Sequence, residues 1–196
     1  MLNDLVELLN KNIKDVDAEV LTPENGDHSI LIKGKNSFHS AIKFIKENDS
    51  ISFNALQVIS GVDYLDHIEV NYMFANFDKN KPHTAIVKVR LEGRVDPSID
   101  SIVDLYPAAD FQERECYDMF GVVFNNHPDP RRILCPYDWE GFPLRKDYMS
   151  PKTYAGMDVF PDDKMNMNQR EYIVHEKAEV ARKKAEEKAA SESKTE

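Results

Sequence analysis

Chemically versatile side chains in this chain concentrate between Glu113 and Tyr148. The segment opens with Glu113-Arg114-Glu115-Cys116-Tyr117-Asp118-Met119-Phe120-Gly121. On a helix, Arg114 stands four residues after Asp110 and four before Asp118, so its guanidinium is expected to pair with a carboxylate on either side. If exposed, such pairs contribute on the order of a few tenths of a kcal/mol each. Six residues separate Phe120 from the next block, His127-Pro128-Asp129-Pro130-Arg131-Arg132-Ile133-Leu134. Its two prolines hold the chain extended, and its adjacent arginines offer planar forks to carboxylates or carbonyls. Next, in Asp138-Trp139-Glu140-Gly141-Phe142-Pro143-Leu144-Arg145-Lys146-Asp147-Tyr148, the only Trp stands among large apolar groups, Arg and Asp. Aromatic and Arg residues are enriched at the energetic centres of protein interfaces, and a proline-stiffened segment loses less entropy on docking. The mixture therefore reads as a contact arm. A segment that only wraps its own domain, or an anion site built from Arg131, Arg132 and Arg145, are the alternatives.

Catalytic motifs are absent from the sequence. It has no G-x-G-x-x-G loop, P-loop, H-E-x-x-H or G-x-S-x-G. The six histidines, His28, His39, His67, His83, His127 and His175, show no short ligand spacing. His67 beside Asp63 and Asp66 mimics a catalytic dyad, but polar residues gather at turns and a solvated turn accounts for it. An iron–sulfur cluster normally takes four ligands, usually all Cys, and only Cys116 and Cys135 exist. Both read as ordinary buried or half-buried thiols.

The elements that must position this segment are legible upstream. Leu2, Leu5, Val6, Leu9 and Ile13 share one face of a helix over 2–14. Strands are predicted at 16–22 and 29–33, separated by the turn Pro23-Glu24-Asn25-Gly26-Asp27. A second helix over 37–48 has Ser37 as its expected N-cap and Phe38, Ala41, Ile42 and Ile45 as its apolar stripe. Strands follow at 55–64, 67–76 and 84–92, with turns at 63–66 and 76–82. The order α-β-β-α-β-β-β predicts an α+β domain over 1–106, a mixed or antiparallel sheet with helices packed on one face. Two short helices are expected next, one capped by Ser98, the other carrying Pro107 in its first turn and ending at Gly121. The signature helix then occupies 107–121. Residues 122–170 lose both periods and read as an extended irregular arm. Residues 171–196, rich in Lys, Glu and Ala, read as a charged helix fraying into disorder.

Bulk properties exclude other classes. With 196 residues, 41% hydrophobic and 31% charged, the chain can bury a core. A net charge of −10 disfavours nucleic-acid binding, which needs a positive field. No apolar run reaches the roughly 18 residues of a membrane span, and Met1–Asn12 lacks a basic start followed by an apolar stretch. A cytoplasmic location is expected, with any membrane association through partners.

The segment singled out above also carries a family resemblance. Glu-Arg-Glu, two residues, Asp, two apolar residues, six residues, His, three residues, Arg, one residue and two apolar residues run from Glu113 to Leu134 without a gap. The pattern resembles the signature of the 30 kDa-type (C-type) subunit of respiratory complex I. Glu140–Tyr148 looks like that family's downstream block, with Phe142 where His is common. The α+β domain fits too, so the resemblance covers residues 1–150. After Tyr148, neither the Arg-Tyr-Asp-type stretch nor the Glu-Pro-Val-type strand common in the family stands out.

The resemblance implies a non-catalytic subunit in the hydrophilic arm of a proton-translocating NADH:quinone oxidoreductase, which passes electrons from NADH to quinone. It implies packing against the 49 kDa-type subunit near the quinone site. The chain would carry no cofactor, FMN and iron–sulfur clusters residing in partner subunits. It would lie at the cytoplasmic side of the cell inner membrane, held there by the complex. The interface and signature residues would be Glu113, Arg114, Glu115, Asp118, His127, Arg131, Arg132, Arg145 and Asp147. Two alternatives remain: the equivalent subunit of a membrane-bound hydrogenase or formate hydrogenlyase complex, and a free-standing small-molecule enzyme using the arginine cluster.

Overall fold

The computed structural model describes residues 2–24, 27–33, 37–48, 51, 53–77 and 83–159. It begins with α1 (Leu2–Asn12), β1 (Asp17–Leu21), β2 (Ser29–Lys33) and α2 (Phe38–Glu47). Three long strands follow, β3 (Ala55–Asp63), β4 (His67–Asn76) and β5 (His83–Glu92). Then come β6 (Ser98–Asp100), α3 (Ala109–Phe120), β7 (Val123–Asn125), β8 (Thr153–Tyr154) and β9 (Met157–Asp158). Two compact units divide the chain, Met1–Arg145 and Lys146–Glu196. In the second, the described structure includes the antiparallel β8–β9 hairpin. The expected charged tail at 171–196 lies outside the described residues, as do parts of the predicted turns at 23–27 and 76–82.

The first unit is the expected α+β layer. Its five-stranded sheet has the order β1-β2-β5-β4-β3. Only β2 and β5 run parallel within it; the other neighbours are antiparallel. The alternation that marked the strands sets the inner face: Ile30 and Ile32, then Ile68, Val70, Tyr72 and Phe74, then Ala85, Val87, Val89 and Leu91 are all buried. Leu5 and Leu9 of α1, the whole α2 stripe, and Ala109 and Cys116 of α3 join the same apolar cluster. Fully burying one such large side chain contributes roughly 1.5–3 kcal/mol.

Local devices hold these layers together. The Asn10 side chain of α1 bridges to β1 at both atoms: its amide donates to the Ala18 carbonyl and its oxygen accepts the Ala18 N–H, each at 2.9 Å. A bulge in β3 between Leu56 and Val58 lets Leu56 and Ile59 both face the core. The helix α3 approaches the sheet closely at Gly61 of β3, where a Cβ would come within 2.6 Å of the Phe120 ring.

Three local expectations are corrected. Ser37 precedes α2, but its side chain does not cap the helix; its hydroxyl donates to the Asp15 carbonyl at 3.1 Å. Ser98 does not start a helix. Ser98–Asp100 is extended because it pairs in parallel with β7, which satisfies its backbone while Ile99 packs into the core. Pro107 lies in the turn ahead of α3, whose N-cap position is Ala108. Gly121 does end α3, with φ 72° and its N–H donating to the Tyr117 carbonyl at 2.8 Å.

Gly61→Ala should destabilise the chain by about 1–3 kcal/mol, since the sheet and Phe120 must separate to admit a methyl group. Urea unfolding of the variant against the parent measures this.

Candidate functional site

Asp118, near the end of α3, has a fully buried side chain. Its Oδ2 accepts the backbone N–H groups of Ile133, Leu134 and Cys135 at 3.1, 2.7 and 2.8 Å. Its Oδ1 accepts from the Arg132 guanidinium at 2.8 Å. Burial alone would raise this carboxyl's pKa, but the N–H groups of Cys135, Leu134 and Ile133 together with Arg132 outweigh it and hold it below the usual carboxylate range. One ionised side chain thus folds residues 132–135 against the helix.

Arg114 does not make the expected pairs along α3. Its guanidinium lies 3.4 Å from Asp129, and it donates to the carbonyls of Arg131 and Arg132 at 3.0 and 3.4 Å. Asp118 faces Arg132 and the returning arm, while the Asp110 carboxylate lies 3.5 Å from the His127 ring. Tertiary contacts have replaced helix-surface pairs because the arm returns across α3 with carbonyls that need donors. Asp129 also takes both nitrogens of an Arg131 fork, at 2.6 and 2.7 Å. Arg131, reinforced by Arg114, holds the Asp129 carboxyl down to about 2.

A second clamp closes over the C-terminus of α3. Arg145 donates to the Phe120 carbonyl at 2.6 Å and the Leu144 N–H donates to the Met119 carbonyl at 3.1 Å, so orphan helix carbonyls gain donors. The Phe142 ring has two guanidinium groups against it, Arg145 at 4.6 Å and Arg132 at 5.2 Å from its centroid. Gly121 makes this possible. A Cβ there would lie 2.5 Å from the Phe142 ring and 2.7 Å from the Arg145 guanidinium.

Glu113 is fully buried one turn into α3. The Ser101 hydroxyl donates to it at 2.6 Å and the Ile102 N–H at 2.9 Å. Burial is the main reason that its pKa is raised to about 7, against the lowering effect of those two donors. The His127 ring packs beside it. Its Nδ1 accepts the Asp129 N–H at 3.0 Å, which assigns the ring proton to Nε2, 3.1 Å from the Asp110 carbonyl.

The structure therefore brings Glu113, Arg114, Asp118, His127, Arg131, Arg132 and Arg145 into one belt around α3. Glu115 is exposed on the helix, and Asp147 belongs to the second unit. Sequence reasoning missed Asp129, Ser101 and the tight space at Gly121. Only Asp129 left a signal, two residues from both His127 and Arg131. The alternative of an anion site built from Arg131, Arg132 and Arg145 loses ground because all three hold partners within the chain. The belt turns three large apolar side chains outward, Leu134 at 61%, Tyr137 at 94% and Leu144 at 56% exposed, among the exposed polar groups Arg131, Asp138 and Glu140. Among the described residues, no group of three or more His, Cys, Asp or Glu is arranged to hold a metal ion, and no helix is long and apolar enough to cross a membrane.

Two substitutions test this geometry. Asp118→Asn removes the shared anion and leaves buried donors short of acceptors, so it should cost about 2–4 kcal/mol. Limited proteolysis should then cut within 131–136, where the parent resists. Glu113→Gln keeps the shape of the protonated acid. A raised carboxyl pKa stabilises the folded state fully below the unfolded value near 4.5, and this contribution is lost as pH rises through about 7. The parent should therefore lose about 3 kcal/mol over that window through Glu113, and the Gln variant should not. Urea unfolding across the pH range measures the difference.

Residues 32–154 match the family model described as respiratory-chain NADH dehydrogenase, 30 Kd subunit. The C-type subunit of the NADH-quinone oxidoreductase of Chloroherpeton thalassium is 38% identical over 148 residues, covering 75% of this chain. The same-named subunit of Chlorobium phaeobacteroides is 44% identical over 118 residues, covering 59% of this chain. The J-type subunit of the NAD(P)H-quinone oxidoreductase of Prochlorococcus marinus is 33% identical over 144 residues, covering 70% of this chain. These alignments span 59%, 70% and 83% of the relatives' own lengths. Among solved structures, a chain of the membrane-bound sulfane sulfur reductase, an archaeal respiratory membrane complex, superposes with a TM-score of 0.61 at 24% identity. That match covers 83% of this chain and 96% of the other, a likeness of fold.

Proposed function

The chain belongs to the family of the respiratory-chain NADH dehydrogenase 30 Kd subunit, and from that premise we propose that it is a structural subunit of an NADH:quinone oxidoreductase. In this reading the whole complex moves electrons from NADH to quinone and couples them to proton translocation. The chain contributes a rigid platform and a docking surface, with FMN and iron–sulfur clusters carried by partner subunits. Its main partner is the 49 kDa-type subunit of the hydrophilic arm, and its membrane association is peripheral, through the complex. The names of the relatives favour a quinone oxidoreductase over a hydrogenase-type assembly.

One observation carries the proposal. The belt around α3 pairs Arg114, Arg131, Arg132 and Arg145 within the chain and turns Leu134, Tyr137 and Leu144 to solvent. Large apolar tips on a clamped loop suit a partner's pocket, since little order remains to be gained on docking. The arginines act behind that surface, as its supports, with Arg131 at its rim. Asp147 is a separate contact residue, contributed by the second unit.

Tyr137→Ala and Leu134→Ser, made separately, should leave the isolated chain folded and reduce assembled complex. A central aromatic anchor contributes about 2 kcal/mol, roughly thirtyfold in affinity. Native gels quantify assembly, and NADH:quinone turnover is then expressed per assembled complex. Normal assembly with collapsed turnover in both variants would refute the docking reading.

A further inference from the structure

The proton on His127 Nε2 has three oxygens around it: the Asp110 carbonyl at 3.1 Å, Asp110 Oδ1 at 3.5 Å and Glu113 Oε2 at 3.8 Å. One N–H cannot serve all three. Asp110 Oδ1 is buried and, among the described residues, has no hydrogen bond. The His127 side chain is 2% exposed and that of Glu113 0%, so water does not dilute the competition. On the opposite side of the ring, Nδ1 holds the Asp129 N–H, and Asp129 in turn holds Arg131 and Arg114. The ring's orientation is thereby tied to the turn 127–131.

We propose that Glu113, Asp110 and His127 form a pH-sensitive latch on this turn. With Glu113 protonated, the His127 N–H stays on the Asp110 carbonyl and the turn is closed. When the Glu113 carboxyl gives its proton to solvent, the new buried carboxylate draws the Nε2–H toward Oε2. The ring tilts, and the Nδ1 acceptor leaves the Asp129 N–H. One proton is released per chain and no covalent bond other than that O–H changes. The turn then loses the contact that holds Asp129 in place to receive Arg131 and Arg114.

The groups facing Glu113 favour this order of events. Asp104, from the loop after β6, and Asp110, on α3 itself, both oppose its ionisation. Asp104 is itself paired with His39 of α2 at 3.0 Å. Cys116 on α3 and Tyr72 on β4 also feel Glu113, and burial holds both protonated, Cys116 pushed up to about 12. From the arm come His127 and, behind it, Asp129, which Arg114 of α3 faces. The Glu113 midpoint of about 7 puts the event in the neutral range. The latch is a property of the chain by itself and does not depend on the partner proposed above.

The experiment is NMR on the full chain between about pH 5.5 and about pH 8.5, a window that spans the ionisation of Glu113. The Glu113 carboxyl carbon, the His127 ring nitrogens and amide exchange at Asp129, corrected for its intrinsic pH dependence, are followed together. The expected result is one shared midpoint near neutrality, with Asp129 protection falling about tenfold or more above it. In Glu113→Gln the protection should stay flat at its low-pH level. The proposal is overturned if Glu113 titrates in the ordinary carboxylate range, if Asp129 protection ignores the Glu113 midpoint, or if the change persists in Glu113→Gln. Should that variant not fold, the parent's ring nitrogens still decide, because a latch requires the Nε2 signal to move with the Glu113 carboxyl.

Discussion

The irregular return of the chain across α3 depends on the Asp118 carboxylate. A carboxylate in the last turn of a helix faces the negative end of the helix dipole and is disfavoured there. Asp118 tolerates the position because three consecutive backbone N–H groups and one guanidinium converge on it. Those donors belong to a segment with no ladder or helix of its own, so the carboxylate supplies what secondary structure would otherwise supply. Once residues 132–135 are held, Arg132 is in place against Phe142, and Phe142 can lie over Gly121.

This arrangement needs a firm base, and the sheet provides it. Gln112 accepts the Ile59 N–H at 2.7 Å, next to the bulge in β3, and Tyr106 donates to the Phe53 carbonyl at 2.8 Å. With the close approach at Gly61, these contacts set the position of α3 on the inner face. The helix is therefore held on one side by the sheet and clasped on the other by residues 127–145. The Glu113 carboxyl sits between the two, which is why its ionisation is felt by the turn at His127.

The arginines show how residue type and residue role separate. Their forks match carboxylates and carbonyls equally well, so composition cannot say whether the match is a partner or the chain itself. In the folded chain, carbonyls and carboxylates of the arm and the helix take most of them. The surface left over includes the exposed aliphatic and aromatic side chains Leu134, Tyr137 and Leu144, and an aromatic anchor is a residue type that docking rewards.

The sequence by itself determined the regular half of the protein. The five strands of the main sheet and the first two helices follow from local alternation and three-to-four spacing, because each such pattern has one way to bury its apolar face. Gly121 as a terminator follows from backbone sterics, and the Glu113-to-Leu134 pattern was enough to indicate the family. Tertiary structure alone decided the rest. Ser98–Asp100 became a strand because Val123–Asn125, far along the chain, offered a ladder. Arg114 turned from its helix neighbours to Asp129 because the returning arm brought a second acid and two carbonyls within reach. Glu113 acquired its raised pKa from burial, a property no single residue carries. Long-range contacts of this kind leave no period in the chain, since what they satisfy is the hydrogen-bonding need of whichever backbone happens to be brought alongside.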